Sequence, residues 1–146
     1  SWVLRYLHEG TTEDLRKRIQ VLPCGKTSCT LYKQANTTVH FKFKPKKQVK
    51  KLINDVYATI GDIPLPFLGV TGTNACEQVT LADTGKPTRC PLEPNVEYVY
   101  TNFFYIEPFY PSVRLRVHWS LNDGNDKVIC FEVPASIKQG SKKKRT

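Results

Sequence analysis

Apolar positions along the chain recur most often at a spacing of two, the period of a strand with one face in a core and one in water. Val113, Leu115, Val117, Trp119 and Leu121 alternate with Arg114, Arg116, His118 and Ser120. Asp123-Gly124, within Asn122 to Asp126, then supplies turn chemistry, and the chain returns through Val128 to Val133, so a hairpin is predicted. Val39, Phe41 and Phe43 alternate with His40, Lys42 and Lys44, and Leu52 to Ile60 carries Val56, Ala58 and Ile60 on one face. Leu15 to Leu22 is a less regular strand with Ile19 and Val21 on its apolar side. Tyr98, Tyr100, Phe104 and Ile106 line one face of a further strand, leaving Val99, Phe103 and Tyr105 on an unusually aromatic second face. Six or seven short strands and no capped helical stripe predict an all-β chain folded as a two-layer antiparallel sandwich.

Length and charge narrow the picture. A chain of 146 residues suits one domain with one core. Residues 1–138 are read as that domain, and Gln139 to Thr146, which hold no apolar side chain, as a basic disordered tail. No run approaches the roughly 18 apolar residues of a spanning helix. Met is absent, even at position 1, which is expected of a processed mature chain. The net charge of +9 is concentrated: Lys42, Lys44, Lys46, Lys47, Lys50 and Lys51 lie in one segment, and Lys138, Lys142, Lys143, Lys144 and Arg145 at the end. Nucleic-acid binding needs exposed aromatics or a recognition element among such residues, whereas the aromatics here belong to inward faces, so no nucleic-acid partner is assigned. The bland reading of the basic segment is a solvated face. Its functional reading is attraction to an anionic membrane surface or an acidic protein.

Cysteines and a sequon bear on the compartment. Cys24 and Cys29 flank Gly25 and can close a tight loop, and Cys76 and Cys90 bracket Asp83, Gly85 and Pro87 as a larger one, although spacing alone fixes neither pairing. Asn36-Thr37-Thr38 is a glycosylation acceptor on a polar loop, in keeping with an oxidising secretory route. Cys130 is left over. His8, His40 and His118 are isolated and no CxxC occurs, so no metal site is assigned. No GxSxG, HExxH, P-loop or dinucleotide fingerprint is present. If Trp119 and Phe131 share the inner face, His118 and Cys130 point outward together across the hairpin. An exposed strand surface without a cleft, a third orienting group or oxyanion donors is a poor nucleophile site, so no catalytic residue and no cofactor are assigned.

Two segments suggest a cavity. In Ile63-Pro64-Leu65-Pro66-Phe67 the prolines cannot continue a central ladder, so the segment is expected to leave the sheet while still carrying apolar side chains. It is then either a loop packed over one end of the sandwich or the rim of an apolar pocket. Tyr110-Pro111 after Phe109 is a second corner of this kind. Phe41, Phe43, Tyr98, Tyr100, Phe104, Trp119 and Phe131 all face one interior, where bulky rings either fill a core or hold the layers apart.

A resemblance joins these segments. Pro23-Cys24 followed by Ser28-Cys29 with Leu31, the Ile63 to Phe67 corner, Asn74-Ala75-Cys76, Cys90-Pro91-Leu92, Tyr98-Val99-Tyr100, Tyr110-Pro111-Ser112, Val117 to Leu121 and Cys130 to Pro134 together resemble the ML lipid-recognition domain. Within that family the chain is most similar to the Niemann-Pick type C sterol-carrier branch, which in arthropods is expanded into carriers of lipids and chemical signals. The resemblance spans roughly Glu9 to Ile137. It implies an immunoglobulin-like β-sandwich of two antiparallel sheets splayed around one hydrophobic ligand, without catalysis. Carried over by position, Val21, Leu31, Val56, Ile60, Leu65, Phe67, Phe104, Ile106, Tyr110, Leu115, Val117, Trp119, Phe131 and Val133 would line the pocket, with Leu65, Phe67 and Tyr110 near its mouth. The loop disulfides would join Cys24 with Cys29 and Cys76 with Cys90. The family's usual N-terminal cysteine, partner of the position matching Cys130, is replaced here by Glu9 of His8-Glu9-Gly10-Thr11, so Cys130 is expected as a free thiol.

A pocket of a few hundred Å³ would bind by burying ligand surface at roughly 25 cal/mol per Å², with specificity from hydroxyls of Tyr98, Tyr100 or Tyr110 near the mouth. The expected function is a secreted, extracellular carrier, or one of the endolysosomal lumen, for a sterol, fatty acid or hydrophobic semiochemical, acting as a monomer or weak dimer. The alternative is an immunoglobulin-like interaction module whose basic surface binds an anionic protein or membrane.

Overall fold

Alternation of buried and exposed residues becomes ten strands in the structure, a computed structural model that describes residues 5–6, 19–22 and 28–140. They are β1 (Arg5–Tyr6), β2 (Ile19–Leu22), β3 (Cys29–Tyr32), β4 (Asn36–Phe43), β5 (Ile53–Ile60), β6 (Ile63–Pro66), β7 (Val79–Leu81), β8 (Tyr98–Tyr105), β9 (Arg114–Asp123) and β10 (Asp126–Lys138). One 3-10 turn, Ala75–Gln78, is started by Asn74, whose side chain accepts from the Cys76 amide, and no α-helix occurs among the described residues. A six-stranded sheet runs β1-β10-β9-β5-β6, with β3 also on β10, and a four-stranded sheet runs β2-β4-β8-β7. The architecture is the expected immunoglobulin-like sandwich of two sheets.

The β9–β10 hairpin turns at Gly124, which takes φ +62. Its ladder sets Trp119 opposite Phe131 and Val117 opposite Val133, while β5 sets Val56 opposite Trp119. The facing sheet pairs Phe41 with Tyr100 and Phe43 with Tyr98. These residues are all buried and meet in one core between the layers. Cys76 and Cys90 form the expected disulfide, with Cα atoms 5.8 Å apart. Cys29 is also disulfide-bonded. Cys24, Glu9 and residues 141–146 of the basic tail lie outside the described residues.

The structure departs from the sequence reading in several places. Among the described residues there are ten strands, not six or seven, and one pairing, β3 with β10, is parallel rather than antiparallel. The Ile63 to Pro66 segment does not leave the sheet. It forms β6, with Pro64 opposite Thr59 and Pro66 opposite Tyr57. Prolines are tolerated because β6 is an edge strand, where a missing N–H can face away from the only neighbour. Asn36 is exposed as expected, but it is the first residue of β4 rather than part of a loop.

The second face of β9 is wetted at Arg114 and partly at Arg116 but not at His118 and Ser120. His118 is 3% exposed, and Ser120 and Cys130 are fully buried. The Tyr57 ring stacks on the His118 imidazole with centroids 4.5 Å apart, so an outward position carries an aromatic roof.

Candidate functional site

The core narrows to a small apolar cavity between the sheets. Leu31 of β3, Val39 of β4, Phe104 of β8, Val117 and Trp119 of β9, and Phe131, Val133 and Ala135 of β10 line it together with Cys29. Its free volume is about 10 Å³, room for little more than one water molecule. This cavity is far smaller than the expected pocket of a few hundred Å³. The reason lies in the rings, which interdigitate rather than prop the layers apart. Phe41 stacks on Tyr100 at 4.8 Å between centroids, meets Phe131 edge-on at 5.4 Å, and Phe104 leans on Trp119 at 5.3 Å. Such offset and edge-to-face pairs are the preferred aromatic geometries.

Of the residues expected to line a ligand pocket, Leu31, Phe104, Val117, Trp119, Phe131 and Val133 border this small cavity. Val56, Phe67, Ile106, Tyr110 and Leu115 are buried in the same core without bordering the cavity, and Ile60 and Leu65 are partly buried against it. Val21 is placed by strand register alone, opposite Val39. The sequence reading passed over Val39, Ala135 and Cys29. Val39 lay on the inward face of its alternating strand and could have been found, whereas Ala135 lies beyond the point where β10 was expected to end.

A second aromatic cluster closes one corner. Phe67, just after β6, packs against Phe104 at 5.0 Å and Tyr110 at 5.6 Å. The Tyr110 hydroxyl accepts from the Leu68 amide at 3.2 Å, so the two proline corners expected at a mouth are joined to each other. Leu68 is 53% exposed and Phe109, packed on the Tyr110 ring, is 68% exposed. Exposed apolar side chains thus sit directly over a buried plug that leads, through Phe104, to the cavity.

The tyrosine hydroxyls are not free groups at a mouth. Tyr98 Oη accepts from the Glu93 amide at 2.8 Å. Tyr100 is fully buried, donates to Asn54 Oδ1 at 2.5 Å and accepts from Asn102 Nδ2 at 2.9 Å. Burial pushes the Tyr100 phenol well above its ordinary value, and Tyr110 is raised for the same reason. Trp119 Nε1 is buried without a hydrogen bond of ordinary geometry.

On the other face of the larger sheet, Cys130 Sγ lies 3.4 Å from His118 Nε2, and His118 Nδ1 lies 3.4 Å from Glu132 Oε2. A third group does orient the imidazole, contrary to the sequence reading. Burial raises the Cys130 thiol pKa, the direction opposite to that of a nucleophilic cysteine. Cys130 forms no disulfide. No group of three potential metal ligands occurs among the described residues.

Two sheets packed over an aromatic interior, with an apolar corner exposed at one edge and a disulfide in the loops, define an immunoglobulin-like sandwich. The chain belongs to the ML-domain family, whose model matches residues 13–137. It is 32% identical to an NPC intracellular cholesterol transporter 2 homolog of Drosophila melanogaster, over 82% of this chain and 78% of that one. The bovine NPC intracellular cholesterol transporter 2 is 26% identical, over 88% of this chain and 80% of its own. In three dimensions the fold is similar to a Niemann-Pick type C2 protein from Japanese carpenter ant, with a TM-score of 0.68, 25% identity and coverage of 94% and 95% of the two chains.

Proposed function

We propose that this protein is a secreted, non-enzymatic carrier that holds one hydrophobic molecule, a sterol, a fatty acid or a hydrophobic signal of similar size, between its two sheets. The observation that carries the reading is the inter-sheet cavity, walled by apolar side chains of both sheets and reached past the Phe67, Phe104 and Tyr110 plug beneath exposed Leu68 and Phe109. Ligand pockets of this kind run from about 300 to 1,000 Å³, so a ligand enters only as the sheets part. Ring-to-ring contacts are then exchanged for ring-to-ligand contacts, a swap of like for like that costs little beyond the opening itself. The membership in a family with cholesterol transporters among its relatives supports the ligand class. An oxidising compartment, extracellular or endolysosomal, is supported by the Cys76–Cys90 bridge and the exposed Asn36 acceptor.

The closed interior favours a second reading, a filled sandwich acting as a binding module through its basic surface. Displacement of a fluorescent fatty acid and a fluorescent sterol separates the two. The carrier reading expects micromolar displacement by unlabelled lipid, changed at least about tenfold by Phe104→Trp, which fills the cavity, or by Trp119→Ala, which enlarges it. Absence of probe binding, or the same affinities in both variants, would count for the filled module.

A further inference from the structure

Beside the Cys76–Cys90 disulfide the surface sinks into a groove of about 750 Å³. Three cations line it, Lys50, Lys51 and Arg89, together with Asn74, Thr88 and a single carboxylate, Glu77. The walls are tied down. Val49 and Leu92 exchange backbone hydrogen bonds at 2.9 and 2.8 Å, Ala75 donates to the Leu52 carbonyl at 2.6 Å, and the disulfide joins the Asn74 turn to the strand of chain that bears Arg89. The lysines therefore rise from a fixed frame although their side chains are exposed.

What marks the groove is an excess of positive charge, three cations against the one carboxylate of Glu77. Elsewhere in the basic segment Lys47 is paired with Asp126 at 2.9 Å. Among the described residues no carboxylate forms an ion pair with Lys50, Lys51 or Arg89, and the Asp123 carboxylate accepts from the Lys50 backbone amide at 2.8 Å. Asn74 spends its Oδ1 on the Cys76 amide, which leaves its NH₂ as a donor. Three positive charges against one negative charge in a concave site leave a net positive potential that favours an anion. A guanidinium fork and two ammonium groups lining one groove suit the tetrahedral oxygens of a phosphate, Arg by paired donors and Lys as point charges.

We propose that this groove is an anion site for a phosphate group, with Arg89, Lys50 and Lys51 as its binding residues and the Asn74 amide as an additional donor. It lies apart from the inter-sheet cavity and holds whether or not the carrier reading does. The phosphate can belong to a lipid headgroup or be free in solution.

The test uses the full chain, so that the basic tail is present throughout. Inorganic phosphate is titrated while backbone amide NMR signals are followed, and flotation is measured with vesicles of phosphatidylcholine containing phosphatidylglycerol. Lys51→Ala/Arg89→Ala removes two charges inside the groove, and Lys42→Ala/Lys44→Ala removes two outside it. The expected result is a loss of vesicle binding of at least about tenfold for the groove pair and within about twofold for the control pair, which identifies a lipid headgroup. Equal vesicle loss in both pairs, with phosphate shifts confined to residues 50–53, 74–77 and 88–90 and abolished in the groove pair, identifies free phosphate. Equal loss in both pairs with no localised phosphate shifts would overturn the site and leave only diffuse charge.

Discussion

Tyr100 of β8 donates its hydroxyl proton across the sandwich to Asn54 Oδ1 of β5, at 2.5 Å and with both residues buried. Asn54 in turn gives its Nδ2 to Thr73 Oγ1 at 2.9 Å, so the link is anchored in the loop after β6. The interface around it is apolar, and apolar contacts are exchangeable, whereas a buried hydrogen bond fixes one relative position of the sheets.

Tyr100→Phe is expected to lower unfolding free energy by about 1–3 kcal/mol, because it strands the Asn54 oxygen in the core. Lipid probe binding is expected to persist, since the ring stays. Denaturant titration together with probe titration checks both halves. Unchanged stability would mean that the link holds nothing.

Alkaline pH should loosen the fold. The Tyr100 phenol and the Cys130 thiol are both raised by burial, so the folded chain holds these protons more tightly than the unfolded one. Their stabilisation is complete below the unfolded values and is lost as pH rises through them, from about pH 9 for the thiol and about pH 10 for the phenol. Urea midpoints are expected to fall across this window, with Cys130→Ala flattening the lower part and Tyr100→Phe the upper. A flat profile in the parent chain would refute the assignment.

Cys130 is 0% exposed and sits against His118. At neutral pH a water-soluble thiol reagent is expected to leave the native chain unlabelled and to modify one thiol after denaturation. Labelling of the native chain at the denatured rate would show that the strand pair opens freely.

Trp119 contrasts size with polarity. Its indole N–H has no hydrogen bond of ordinary geometry, while its ring touches Tyr100 and Phe104 and borders the cavity. Trp119→Ala is expected to cost about 3–5 kcal/mol of stability. Trp119→Phe removes the buried indole N–H as well as volume, and these effects oppose each other, so a change within about 1.5 kcal/mol is expected. Equal costs for the two variants would show that ring packing is not what Trp119 contributes.

Much of the fold was legible because side-chain alternation follows directly from strand geometry. The run from Val113 to Leu121, the Asp123-Gly124 turn and the inward ring set are found where the period of two puts them. What failed was everything that depends on a neighbour in space. Pro64 and Pro66 break a central ladder but not an edge one, and sequence does not say which strand is last in a sheet. His118 and Cys130 alternate like surface residues, yet Tyr57 of another strand roofs the imidazole. The Tyr98 and Tyr100 hydroxyls read as mouth groups, but their partners are the Glu93 amide, from a segment with no local signal, and Asn54, a polar residue on the strand read over Leu52 to Ile60. Ring count showed an aromatic interior without showing its volume, which depends on how the rings interlock.

The most direct measurement is native mass spectrometry of the chain after incubation with a mixture of sterols and fatty acids, followed by denaturation of the same sample. The carrier reading predicts an adduct of one lipid per chain that disappears on denaturation and is weakened by Phe104→Trp. A bare chain at every lipid tested, with the same mass before and after denaturation, would contradict it.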